Sequence, residues 1–233
     1  MNGAEIRIQC EPTEYMSAYL SMPKSGSGPG VLVIQEIFGV NQVMREITDG
    51  FAAQGFVALC PDLFWRIEPG VNITDKSKAE WDKAFSLFGK FDRDKGMKDV
   101  ASSLESLRRI KGCNGKAGTV GFCLGGMLAY LSATRTDTDA AVGFYGVNIP
   151  NFLNEAANIK KPLMLHIAGK DGFVPPEAQA AIHKGLDGNK LCTLYDYPEQ
   201  DHAFARQGGE HYDESAAKLA MSRTIDFFKS HLA

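Results

Sequence analysis

The 233-residue sequence predicts an α/β fold: a mostly parallel central sheet with helices on both faces. Three observations predict it. Short apolar runs of strand length alternate several times with amphipathic stretches of helix length. The run Val31 to Gln35 is continuously apolar up to its last residue, as in a strand covered on both faces. No repeat, low-complexity tract or linker interrupts the alternation, so residues 1–233 read as one domain, of a size that α/β folds reach undivided.

Taken in order, residues 5–10 and 15–22 predict two opening strands joined by a turn at Pro12. The strand at Val31 to Gln35 leads to a helix over 42–54, stopped by Gly55. Phe56 to Cys60 predicts the next strand, closed by Pro61, and residues 77–90 and 95–110 predict two helices. Gly118 to Phe122 is a strand and Leu124 to Ala133 a helix; Ala140 to Tyr145 and Pro162 to Ala168 are strands. A helix from Pro176 to Leu186 and a strand from Leu191 to Tyr197 follow. The closing helix spans Tyr212 to His231, with Tyr212, Ala216, Leu219, Ala220 and Phe227 at core spacing.

Composition excludes several classes. The net charge of -3 and the lack of a basic stripe argue against a nucleic-acid partner. No stretch reaches the apolar length of a membrane span, and MNGAEIRIQC lacks the basic and apolar segments of a secretory leader, so a cytoplasmic location is expected. Five scattered cysteines, none in a C-x-x-C pair, argue against a disulfide framework or a zinc finger.

In a parallel α/β sheet, ligands bind beyond the carboxyl ends of the strands. Among the residues there, Gly121-Phe122-Cys123-Leu124-Gly125-Gly126 has the spacing of a nucleophile elbow with Cys in place of Ser. Gly121 and Gly125 remove side chains that would collide across so tight a turn. Cys123 then sits at a helix N-terminus, where unpaired N–H groups favour a thiolate and later an oxyanion. The N–H of Leu124 is one expected oxyanion donor and that of Ile37 the second. The plainer alternative for Cys123 is a small buried residue in a glycine-rich bend.

A thiol nucleophile needs a base, and the base an orienting acid. His202, in the loop after the last strand, and Asp171, in Gly169-Lys170-Asp171-Gly172, meet those needs in the order nucleophile, acid, base. The alternatives are a surface histidine and a turn aspartate. His166, inside an apolar strand, is expected to be structural; His183 and His231 are expected to be solvated, and His211 lies in a polar loop.

With these residues in place the sequence resembles the dienelactone hydrolase family of α/β-hydrolases over nearly its whole length. The carriers are Gln35-Glu36-Ile37-Phe38-Gly39, the cysteine elbow, Phe144-Tyr145-Gly146, Gly169-Lys170-Asp171 and His202-Ala203-Phe204. The resemblance implies the α/β-hydrolase fold, Cys123, His202 and Asp171 as catalytic triad, and Glu36 as a carboxylate near the thiol. A carboxylate there disfavours the thiolate, so Glu36 would hold a neutral resting thiol until an anionic substrate displaces it. The alternative for Glu36 is a cap on the following helix. The family holds its substrate carboxylate with two arginines. Arg206 matches one; where the other is expected the chain has Trp81, and no arginine lies between Arg66 and Arg93. Neither Trp nor Lys reproduces a bidentate arginine, so the region of Trp81, Phe85 and Phe88 reads as more apolar than the family type. Phe38 and Tyr145 complete the expected substrate contacts.

The implied activity is hydrolysis of a small lactone of the carboxymethylenebutenolide kind, in aromatic degradation, through an acyl-thioester and without metal or organic cofactor. A thiol carboxylesterase or thioesterase for a less polar substrate is the alternative. Further alternatives are a non-catalytic small-molecule binder and a redox-sensing thiol, which has no resolving cysteine close to Cys123 in sequence. The expected assembly is a monomer or small homo-oligomer.

Overall fold

A computed structural model gives the structure over residues 3–233; the first two residues, part of the stretch read for a leader and of the expected 1–233 domain, lie outside it. The chain forms two compact units, one running to Gly118 with Leu232 and the other from Thr119 to His231 with Ala233.

In the first unit, β1 (Ala4–Glu11) and β2 (Glu14–Ser21) form an antiparallel hairpin across Pro12-Thr13. β2 runs antiparallel to β4 (Val57–Pro61), and β4 runs parallel to β3 (Gly28–Ile34). Pro61 is taken into the end of β4, at the last pair of its ladder with β2, where a missing N–H costs least. Helix α1 (Gln42–Ala53) starts at Asn41, whose side-chain oxygen accepts from Met44 N at 3.1 Å, and buries Met44, Thr48, Phe51 and Ala52, one face of the helix. Helix α2 (Lys78–Lys90) has a reciprocal cap: Ser77 Oγ accepts from Glu80 N, and the Glu80 carboxylate accepts from Ser77 Oγ. Helix α3 (Arg93–Arg109) is capped by Asp92 and packs Met97, Val100, Leu104 and Leu107 inward. Its buried Asp99 is satisfied by the Arg66 fork at 3.0 and 2.9 Å and by Trp65 Nε1 at 2.9 Å.

Strand β5 (Cys113–Phe122) begins before the predicted Gly118 because its exposed first half, Asn114 to Lys116, carries no apolar signal. It ends in the second unit, where it pairs in parallel with β6 (Ala141–Phe144), then come β7 (Leu163–Ala168) and β8 (Cys192–Tyr197), all parallel. Helix α4 (Leu124–Arg135) is buried from Leu124 to Thr134, and the hydroxyls in that stretch, on Tyr130, Ser132 and Thr134, donate to the carbonyls of Phe152, Leu128 and Leu131. A 3-10 segment, Ile149–Asn158, was not anticipated, since its three-residue turns leave no helical period to read. Helix α5 (Pro176–Leu186) opens on a proline, which has no N–H to waste there.

Helix α6 (Glu214–His231) corrects the expected core face. Tyr212 precedes the helix, Leu219 is 48% exposed and Phe227 lies beside His231 at 4.6 Å. The buried stripe is Ala216, Ala220, Thr224 and Phe228 with Ala217. An apolar pattern overlooks Thr224, whose hydroxyl is bonded inside the core. Among the described residues no helix is long and apolar enough to cross a membrane.

Candidate active site

The parallel strands of the second unit deliver their carboxyl ends to one side, and three of the predicted residues meet there. Cys123 follows β5 directly and caps α4. Its backbone stands at φ 57°, ψ −112°, a conformation a side chain rarely tolerates. Backbone bonds hold it: Cys123 N donates to Phe144 O at 3.1 Å, and Cys123 O accepts from Gly126 N at 3.0 Å and Met127 N at 3.2 Å. A Cβ on Gly121 would lie 1.9 Å from Gly125 O, and one on Gly126 would lie 2.5 Å from Phe144 O. The turn therefore closes only with glycine at 121, as the spacing predicted, and Gly126 is required for the packing of α4 on β6. Leu124 is fully buried at the first position of α4, where N–H groups have no intrahelical acceptor.

His202 is 5% exposed, which excludes a surface role. Its Nδ1 lies 2.8 Å from Asp171 Oδ2. The other Asp171 oxygen accepts from Phe173 N at 2.8 Å and Val174 N at 3.2 Å, so the aspartate closes its own turn while orienting the imidazole. With Nδ1 committed, Nε2 is the atom left for the Cys123 side chain, to which His202 is also hydrogen-bonded. Burial alone would lower the imidazole pKa. The Cys123 sulfur and the Asp171 carboxylate more than offset it and push it up to about 10. An imidazole held this way is a strong proton acceptor beside sulfur.

Two aromatic rings flank His202: Tyr145 at 5.1 Å and Phe173 at 4.8 Å, both edge-on, with Phe173 52% exposed. Tyr145 was anticipated. Phe173 was not; its only signal is its place two residues past Asp171, where a turn N–H would reach back to the carboxylate. Arg206 is 7% exposed, in the turn after His202, where its N–H donates to Ala203 O at 2.9 Å.

The other predicted residues belong to the first unit. Glu36 and Ile37, just past β3, are 2% and 5% exposed. Gln35 ties this stretch down, accepting from Leu63 N at 3.0 Å and donating to Glu36 O at 3.3 Å. Glu36 is not the cap of α1; Asn41 fills that place. Trp81 stacks on Phe85 at 5.4 Å, meets Phe38 edge-on at 5.0 Å, and donates Nε1–H to Asp75 O at 3.1 Å. Phe88 is half-buried on the same helix.

His183 is part-exposed, as expected, and lies between Asp187, which caps α5, and Asp196 of β8, each at 3.0 Å. All five cysteines are free. Burial pushes the Cys60 thiol up to about 12 and that of Cys192 up to about 11; burial and then Asp99 do the same for Cys10, also to about 11.

Comparison with known proteins extends these observations. The model of the dienelactone hydrolase family matches residues 16–232. A protein of Azospirillum brasilense, provisionally named a carboxymethylenebutenolidase, is 50% identical over 98% of this chain and 99% of its own. The carboxymethylenebutenolidase of Pseudomonas putida is 37% identical over 95% of this chain and 94% of its own. A crystal structure of a Klebsiella pneumoniae protein, provisionally named a dienelactone hydrolase, superimposes with a TM-score of 0.85 at 27% identity, covering 97% and 98% of the two chains. A match across 217 residues, at these identities and over this fold, means that the chain belongs to the dienelactone hydrolase family, α/β-hydrolases that act on ester bonds.

Proposed function

We propose that the enzyme opens a small lactone of the dienelactone kind with Cys123 as nucleophile, His202 as base and Asp171 as the acid that orients it. The observation that carries this reading is the buried imidazole with Asp171 on Nδ1 at 2.8 Å and the Cys123 side chain as its other partner.

Cys123 gives its proton to His202 as its sulfur attacks the ester carbonyl, and the C–O bond breaks, leaving an acyl-thioester. His202 gives the departing oxygen its proton. Water then yields a proton to His202 and attacks the thioester, releasing the acid and returning the thiol. The N–H of Leu124, at the head of α4, supports one oxyanion contact; Ile37, next after the tethered Gln35-Glu36 stretch, is proposed for the other. Glu36 is proposed as the carboxylate that keeps the resting sulfur protonated, and Arg206 as the cation that meets a substrate carboxylate. Trp81, Phe38 and Tyr145 are proposed as apolar contacts.

A second reading, a less polar ester or thioester as substrate, is favoured by the Phe38–Trp81–Phe85 cluster, an aromatic surface where the family pattern leads one to expect a second arginine. Under either reading residues 1–233 act as one catalytic domain, supported by the family match over 16–232, and the unpaired cysteines suit a cytoplasmic enzyme. The degradation of aromatic compounds is its proposed setting.

The test compares a dienelactone with a neutral aryl ester, using the parent enzyme and Cys123→Ala. Preference for the lactone supports the first reading, and cleavage of the neutral ester alone supports the second. Turnover that survives loss of Cys123 would sink the nucleophile assignment.

A further inference from the structure

Behind the proposed nucleophile, one face of the parallel strands carries a row of rings. Phe122 and Phe144 are register partners stacked at 4.7 Å. Phe144 and His166 are partners at 4.3 Å, and His166 and Tyr195 are partners at 5.9 Å with their planes within 16°. Arg223 of α6 closes the row over Tyr195 at 4.0 Å. His166 is its single polar rung, 1% exposed.

The bonds of His166 fix its tautomer. Thr224 Oγ1 donates to Ala220 O at 2.9 Å, and in that arrangement it accepts from His166 Nε2, 3.0 Å away. The ring proton is therefore on Nε2. Nδ1 must accept, and Tyr197 O–H lies 2.8 Å from it; the Tyr197 oxygen in turn accepts from Arg223 Nη1 at 3.2 Å. Burial and then Arg223 push the imidazole pKa down to about 3, so it stays neutral while the chain of donors runs one way.

This chain touches both halves of the proposed catalytic pair. On the nucleophile side, His166 O accepts from Tyr145 N at 2.8 Å, and Phe144 O accepts from Cys123 N at 3.1 Å. Tyr145 stands at φ 37°, so two turns with positive φ are pinned through neighbouring carbonyls. On the base side, the Tyr197 ring packs on Phe204 at 4.8 Å, Phe204 on Tyr145 at 5.6 Å, and Tyr145 on His202 at 5.1 Å.

We infer that His166 and Tyr197 are positioning residues, whose directed hydrogen-bond chain to α6 sets the Cys123 turn and the His202 loop at reacting distance. The inference rests on the Cys123–His202–Asp171 reading. Tyr197→Phe removes one hydroxyl and keeps the ring against Phe204. Thr224→Val removes the acceptor and frees the proton to move to Nδ1; Thr224→Ser restores it. Aryl-ester kinetics on folded protein, with Cys123→Ala in parallel, should show kcat about tenfold lower in Tyr197→Phe and Thr224→Val, with KM unchanged and Thr224→Ser at the parent level. Nitrogen-15 spectra of the parent should show one neutral Nε2–H tautomer of His166 from pH 8 to 5, with mixed tautomers in Thr224→Val and the Nε2–H form retained in Tyr197→Phe. Unchanged kcat alongside a lower melting temperature in both variants would reduce the chain to packing and overturn the inference, while an inactive Cys123→Ala left the nucleophile reading intact. An active Cys123→Ala would remove that reading and this one together.

Discussion

At Cys123 the backbone is held where a Cβ is unwelcome, and strain of that kind costs about 1–3 kcal/mol. The cost belongs to the Cβ and not to the sulfur, so two inactive variants should separate. Cys123→Gly should be more stable than Cys123→Ala by about 1 kcal/mol or more, read from denaturant midpoints. Equal stability would show that the turn relaxes around alanine without strain. Asp171 makes a second case. Asp171→Asn can still accept from Phe173 and Val174 with its oxygen, but presents an amide where His202 needs an acceptor. The fold should hold while kcat falls by about 10⁴, the scale seen when a triad aspartate is made neutral. Circular dichroism with steady-state kinetics decides it, and activity within tenfold of the parent would count against the orienting role.

Among elements, α4 is the one that chemistry and packing share, since its first turn presents Cys123 and its flank touches β6. A Cβ on Gly126 would fall 2.5 Å from Phe144 O and 2.7 Å from Gly146 Cα, both backbone atoms that cannot swing aside. Gly126→Ala should therefore push α4 off the strand, costing about 1–3 kcal/mol and lowering activity with it; a crystal structure or a melting curve would show the displacement. The elements whose packing is apolar were legible in the sequence to within a few residues, as with α5 and β7, because one hydrophobic period describes them. Those held by polar bonds were not. Thr224 turned the face of α6 away from Leu219 and Phe227, since a threonine bonded to a buried histidine counts as core although no hydropathy pattern includes it. The site was legible where backbone strain demands glycine and where strand ends collect side chains. The rings of Phe173 and Phe204 were not, because only the folded turns bring them beside His202 and Tyr145.

For the whole molecule, His166 links chemistry to acid stability. Its folded pKa of about 3 lies below the usual value of 6.5, so the unfolded chain binds the extra proton between those two pH values. Stability from the neutral ring is complete above pH 6.5 and is lost as the pH falls toward 3. One such proton adds about 1.4 kcal/mol of slope per pH unit in that window. Urea unfolding at pH 6.5, 5.5 and 4.5 should show that slope reduced by about one proton in His166→Phe relative to the parent; identical slopes would mean that the ring is protonated in the native state. The thiols of this chain have a different consequence. Three of the five are held far above neutral pH, at about 12 for Cys60 and about 11 for Cys10 and Cys192, and so are poor thiolates. A haloacetamide offered near neutral pH is therefore steered away from these three, and Cys123 is the thiol with a buried imidazole as its partner. The protein should take up a tagged electrophile as a single adduct that extinguishes turnover in step with labelling, so that active copies could be counted directly in a crude mixture.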